Sequence, residues 1–278
     1  MIAFTVSTPD GAVLNARSEG SGPALVLVSG LGGTAGFWDP VVEGLRDRFE
    51  VLTFDQRGIA ASTRGRAETD IALLADDLRA VLDAAEIDRA IIVGHSTGGC
   101  IAQSLSARAP ERVAGLGLSA TWLRPSRYMR ALFTARLELL RNDPIAYTAT
   151  ATLISYAPAW LEAHWTVYER AIAKAPTGDA ARQVVAERLA ALLAFDGSAE
   201  VSALTMPTLV FGAEDDMIVP AFLQRDLAEA LPSANLRLLA DGGHFYPVSR
   251  TKVFVREIAE WAGSLPSSTA LAPSRAHP

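Results

Sequence analysis

The chain has 278 residues, half of them hydrophobic, with 25 Lys and Arg against 31 Asp and Glu and a formal net charge of −6. That composition excludes a disordered chain, and the acidic balance with scattered charges gives no basis for nucleic-acid binding. A single cysteine, Cys100, excludes an internal disulfide and reads as a small buried apolar residue in a reducing compartment.

In chain order, Met1-Ile2-Ala3-Phe4-Thr5-Val6 has no basic segment before an apolar core, so no secretion signal is expected and a cytoplasmic location is. Phe4–Ser7 and Val13–Arg17 flank Pro9-Asp10-Gly11 and predict a hairpin. Strands are predicted at 24–28, 50–54, 90–93 and 113–119, with helical patterns at 40–48, 70–86 and 97–109 between them. From about 122 to 200 the strand rhythm stops. Helical patterns at 126–141, 144–156, 159–174 and 178–195 replace it, punctuated by Asn142-Asp143-Pro144 and Ala175-Pro176-Thr177-Gly178-Asp179. Strands resume at 207–211 and 235–239, with helices at 220–230 and 251–264, and a Ser-, Pro- and Ala-rich tail to Pro278 is expected to be disordered. Strand–helix alternation predicts an α/β fold with a mainly parallel sheet covered on both faces. No stretch reaches the roughly 18 apolar residues of a membrane span.

Gly94-His95-Ser96-Thr97-Gly98 lies between the apolar run Ala90–Val93 and a helical pattern. A Gly-x-Ser-x-Gly sequence in that setting makes a turn so sharp that only small flanking residues fit, and it presents a serine hydroxyl at a helix N-terminus. Ser96 is therefore the candidate nucleophile. Four histidines could serve as its base: His95 is inside the turn, His164 is in a helical region, and His277 is in the polar tail. His244, in Asp241-Gly242-Gly243-His244-Phe245 after a strand, remains. An acid is expected between serine and histidine at a strand end, where Glu214-Asp215-Asp216 follows Pro207–Gly212. Counting from either Pro207 or Pro220 selects Asp216, whereas counting from Gly212 selects Asp215. Asp216 is favoured, its role being to orient the base and stabilise the imidazolium.

These motifs identify the chain as resembling the α/β-hydrolase fold superfamily over nearly its whole length. Val26–Gly33 resembles the family's His-Gly-x-Gly loop with Ser29 in place of histidine, and Phe54–Ser62 resembles Asp-x-Arg-Gly-x-Gly-x-Ser with Ala60 in place of glycine. The resemblance implies an oxyanion hole made by the Leu31 and Thr97 amides. It also implies a core domain over 1–121 and 201–264, a helical cap over 122–200 and a tail over 265–278. Trp122, at the entry to the cap, and Phe245, beside the base, are the expected substrate-binding residues.

The chemistry expected is hydrolysis of a small carboxylic ester or lactone through an acyl-enzyme on Ser96, with no metal or organic cofactor and with a small molecule as the partner, in a monomer or homodimer. Weaker similarity in Gly30–Gly33, Asp55–Gly58 and Leu123-Arg124 points toward small bacterial enol-lactonase and aminoacrylate-hydrolase types. The alternatives on this fold are carbon–carbon bond hydrolysis of a β-diketone-like substrate, cofactor-independent oxygenase chemistry, and a ligand receptor.

Overall fold

The computed structural model describes residues 1–265; the remainder of the expected tail lies outside the described residues. The chain opens with β1 (Ile2–Ser7) and β2 (Val13–Gly20), the predicted hairpin, then β3 (Ala24–Val28), α1 (Asp39–Leu45) and β4 (Glu50–Phe54). Next come α2 (Ile71–Ala84), β5 (Ala90–His95), α3 (Thr97–Arg108) and β6 (Val113–Ser119). Five helices follow: α4 (Arg127–Asn142), α5 (Pro144–Ser155), α6 (Pro158–Ala163), α7 (Thr166–Ala173) and α8 (Asp179–Ala194). The chain then returns with β7 (Thr208–Ala213), α9 (Ala221–Ala230), β8 (Ala234–Leu239), α10 (Tyr246–Ser249) and α11 (Thr251–Gly263).

The eight strands form one sheet in the order β1-β2-β4-β3-β5-β6-β7-β8. Only β1 and β2 run antiparallel to their neighbours; from β4 to β8 every pairing is parallel. The central strands are apolar along their length because both faces are covered, as a parallel sheet with helices on each side requires. β3 shows the division: Ala24, Val26 and Val28 join the core under α2 and α3, while Leu25 and Leu27 join the core under α1 and α11. Among the described residues no helix is long and apolar enough to cross a membrane.

Five helices lie between β6 and β7, where the strand rhythm of the sequence stops. One expected helix, 159–174, is divided into α6 and α7. The His164 ring Nδ1 lies 2.7 Å from the Trp160 carbonyl oxygen, an acceptor that a continuing helix would offer to its own amides, and the ring stacks on Trp160 at 4.1 Å.

The segment after β4 is held by Arg57, which is buried and reaches Asp77 of α2 with Nε and Nη2, both at 2.6 Å, and Asp10 of the hairpin turn with Nη1 at 2.9 Å. This segment therefore ties three parts of the chain together at the sheet edge. Ala60, where the family pattern has glycine, sits at φ 50, a left-handed conformation that accounts for glycine's place there.

Candidate active site

The sharp turn after β5 places Ser96 at φ 55 and ψ −123, strongly unfavourable for a residue with a Cβ. The turn closes only because its neighbours are glycines. A Cβ on Gly94 would come within 2.2 Å of the Gly98 carbonyl oxygen, and one on Gly98 within 2.2 Å of the Val28 carbonyl oxygen. The Ser96 amide donates to the Ser119 carbonyl at 2.8 Å, which fixes the turn against β6. Ser96 is thereby presented at the start of α3, facing a cavity of about 730 Å³ that it lines together with His244.

His244 arrives from the loop after β8. Asp215 shapes that loop by accepting from the Gly242 amide at 3.1 Å and the Gly243 amide at 2.9 Å. Gly243 has φ 67, and a Cβ there would meet the Ser155 carbonyl oxygen at 2.7 Å, so the end of α5 closes directly over the loop. His244 Nδ1 lies 2.8 Å from Asp216 Oδ2, with both side chains buried. The other carboxylate oxygen, Asp216 Oδ1, accepts from the Ile218 and Val219 amides at 2.8 and 2.9 Å. A carboxylate can only accept, so Nδ1 carries the proton of the pair, which in the neutral imidazole makes Nε2 the acceptor. The structure therefore brings Asp216 to His244 and assigns Asp215 to the loop that carries the histidine.

The loop from Ser29 to Thr34 borders the same cavity. A Cβ on Gly30 would lie 2.9 Å from Ser96 Cβ, so only glycine allows this approach. Ser29 Oγ donates to the Thr34 carbonyl at 2.6 Å, and Gln56 Nε2 donates to the Ser29 carbonyl at 2.6 Å. Leu31 lies in this loop, and Thr97 follows Ser96 as the first residue of α3.

Arg188, from α8, is a residue that sequence reasoning missed. It is buried, donating from Nε to the Leu31 carbonyl at 2.9 Å and from Nη2 to the Gly30 carbonyl at 3.0 Å and to Gln56 Oε1. Burial pulls its guanidinium down to about 10, which still leaves it charged at neutral pH. One side chain of the insertion thus grips the loop from 157 residues away. No local pattern in α8 distinguishes Arg188 from an ordinary solvated arginine.

His95 also acquires surroundings that the sequence did not reveal. Its Nδ1 lies 3.0 Å from Ser119 Oγ, which is 2.5 Å from the Tyr246 hydroxyl, which in turn donates to the Phe211 carbonyl at 2.8 Å. The ring stacks on Phe37 at 5.3 Å and sits 4.9 Å from the His244 ring. Burial, with the neighbouring His244 adding to it, holds the His95 imidazole well below its ordinary value, so it stays neutral.

Of the two expected pocket residues, Phe245 lines the cavity and packs edge-on against Phe37 and Tyr156, each at 5.4 Å. Trp122 does not, and that expectation is corrected. The chain leaving β6 stays inside the protein through Ala120, Thr121 and Trp122, each fully buried, and Gln103 of α3 holds the Trp122 carbonyl at 3.1 Å. The indole therefore belongs to the core under the sheet, and the insertion's cavity wall is built instead by Phe133, Arg136, Tyr147 and Val184. His164 is exposed. Cys100 is fully buried, and burial keeps its thiol protonated. Among the described residues no group of three or more His, Cys, Asp or Glu is placed to hold a metal ion.

The comparisons with known proteins agree with this architecture. The family model described as alpha/beta hydrolase fold matches residues 23–249. A protein of Azorhizobium caulinodans named "Putative carbamate hydrolase RutD" is 34% identical over 248 residues, 89% of this chain and 94% of that protein. The crystal structure of a hydrolase from Pseudomonas aeruginosa PA01 superposes with a TM-score of 0.84 at 29% identity, covering 94% of this chain and 98% of that one. The enol-lactonase from Burkholderia xenovorans LB400 shares the fold, with a TM-score of 0.84 at 24% identity over 95% of this chain and all (100%) of that chain.

Proposed function

The chain belongs to the alpha/beta hydrolase family and is a hydrolase of that fold, and on this premise we propose that it cleaves a small carboxylic ester or lactone through an acyl-enzyme on Ser96. The observation that carries the reading is the 2.8 Å contact between His244 Nδ1 and Asp216 Oδ2, on the wall of the cavity that Ser96 enters from a strained turn. In this mechanism His244 Nε2 takes the Ser96 hydroxyl proton as Oγ attacks the carbonyl carbon. The oxyanion that forms is held by the Leu31 and Thr97 amides, at the N-terminus of α3. His244 returns the proton to the departing alkoxide, then removes a proton from water as it attacks the acyl-enzyme. Collapse of the second tetrahedral species frees the acid and restores Ser96. Asp216 keeps the imidazole in the required tautomer throughout.

The insertion acts as a cap in this proposal. Its α4, α5 and α8 wall the cavity and exclude water from all but the deacylation step. The chain is proposed to comprise a core over 1–121 and 201–264 and this cap over 122–200, and to work in the cytoplasm.

A second reading extends the same chemistry to carbamates, favoured by the name of the relative that is 34% identical. A carbamate presents the same trigonal carbonyl to Ser96, and a carbamoyl-enzyme replaces the acyl-enzyme. Turnover of a panel of p-nitrophenyl esters, lactones and aryl carbamates by the wild type and by Ser96→Ala tests both. Serine-dependent turnover of esters or lactones supports the first reading, and turnover confined to carbamates supports the second. Hydrolysis surviving in folded Ser96→Ala would rule out a covalent intermediate on Ser96.

A further inference from the structure

Arg136 of α4 is 7% exposed and lines the cavity that Ser96 and His244 share. A guanidinium carries five N–H donors and a fixed positive charge. Among the described residues its only hydrogen bond runs from Nη2 to the Tyr147 hydroxyl at 3.2 Å, its buried Nε has no partner, and it makes no ion pair. The Phe133 and Tyr147 rings lie 5.2 and 5.0 Å from its Cζ, which supports a cation but uses none of its donors. Burying a charge in this way is costly unless an anion completes it.

The cavity's other lining residues sharpen the point. Among the described residues lining it there is no Asp or Glu, whereas Lys174 also borders it and is exposed to solvent. A basic cavity in a chain of net charge −6 is a local arrangement, not a reflection of composition. The other buried arginine nearby, Arg188, contrasts with it. Arg188 spends Nε and Nη2 on the Leu31 and Gly30 carbonyls and on Gln56, and although its buried Nη1 has no partner it does not line the cavity, whereas Arg136 does line it with most of its donors unspent.

We propose that Arg136 binds a carboxylate carried by the substrate itself, so that the preferred substrate is an acid-bearing ester, lactone or carbamate whose reactive carbonyl lies at Ser96 while its anionic end meets the guanidinium. The guanidinium's positive charge matches a carboxylate's negative charge, and a carboxylate accepts from two guanidinium N–H groups at once. Phe133 and Tyr147 hold the guanidinium in place, so little side-chain freedom is lost on binding. Lys174, exposed at the same cavity, adds to the field that draws an anion toward it.

This inference rests on the hydrolytic reading, and two measurements separate the failure of each. The first is pH-stat hydrolysis of the monomethyl esters of succinic, glutaric and adipic acid against methyl esters of the monocarboxylic acids of equal chain length. The wild type is expected to favour the acid-bearing member by about 10- to 100-fold in kcat/KM, expressed mainly in KM. Arg136→Leu collapses that ratio, and Arg136→Lys keeps part of it. The second is calorimetric titration of glutarate into the wild type and Arg136→Leu, with binding weakened at least about tenfold in the variant. A wild-type ratio near one, or a ratio unchanged in Arg136→Leu, overturns the proposal while leaving serine hydrolysis standing. If no ester is turned over, the ester reading fails, and the titration alone decides the anion site: glutarate binding that depends on Arg136 supports it and absence of binding overturns it. Should Arg136→Leu not fold, the wild-type ratio and the Arg136→Lys data decide in the same way.

Discussion

His244 Nδ1 lies 2.8 Å from Asp216 Oδ2, whereas Asp215, one residue earlier, directs its carboxylate to the Gly242 and Gly243 amides of the loop that delivers the histidine. Adjacent aspartates thus do separate work, one on the imidazole and one on its backbone support. In the proposed mechanism Asp216→Asn turns the imidazole to the wrong tautomer and lowers kcat by about three to four orders of magnitude. Asp215→Asn keeps one acceptor for the loop, lowers activity by no more than about tenfold and costs about 1–2 kcal/mol of stability. Steady-state kinetics and urea denaturation of the two variants check this. The opposite ranking would transfer the acid's role to Asp215.

The strain at Ser96 makes a separate stability prediction. With φ 55 and ψ −123, the position favours a residue without a Cβ. Ser96→Gly and Ser96→Ala both lose hydrolysis, but the glycine variant is more stable than the alanine variant by about 1 kcal/mol. Equal stabilities would mean that the turn stores no strain at this residue.

Arg188 links the insertion to the loop bearing Leu31. Arg188→Met removes the donors to the Gly30 and Leu31 carbonyls, and it also removes a buried charge that has no carboxylate partner. Stability is therefore expected to hold or rise, while kcat falls about 10- to 100-fold as the Leu31 amide loses its fixed direction. KM changes far less. A melting temperature that drops steeply together with both kinetic constants would mark Arg188 as a packing residue only.

His95 contributes a pH dependence whose sign follows from its burial. The folded protein holds this imidazole neutral well below its ordinary value of 6.5, while the unfolded chain takes up the proton near that value. Below pH 6.5 the unfolded state therefore binds more protons, and stability falls as pH decreases. His95→Phe, which fills the site beside Phe37 and removes the titrating group, flattens that fall. Its stability relative to wild type rises by up to about 1.4 kcal/mol per pH unit on going below 6.5. Denaturation curves from pH 8 to pH 5 measure the difference, and a gap independent of pH would refute the assignment.

The sequence by itself determined the sheet, the turn and the order of the site residues, because each is written in short-range chemistry. Apolar runs mark strands covered on both faces, Gly94 and Gly98 mark a turn that no Cβ fits, and elimination together with chain order leaves His244 as the candidate base. The choice of Asp216 was also reachable, from its spacing to the prolines on either side. Tertiary structure decided the rest, because packing between distant segments leaves no periodic trace. Trp122 is as aromatic as Phe245, yet only the path of the chain after β6 puts one in the core and the other on the cavity. Arg136 and Arg188 sit on helices whose patterns would equally suit solvated arginines. Folding the insertion over the sheet buries both, aiming one at the loop carbonyls beside Ser96 and leaving the other in the cavity with its charge unmatched.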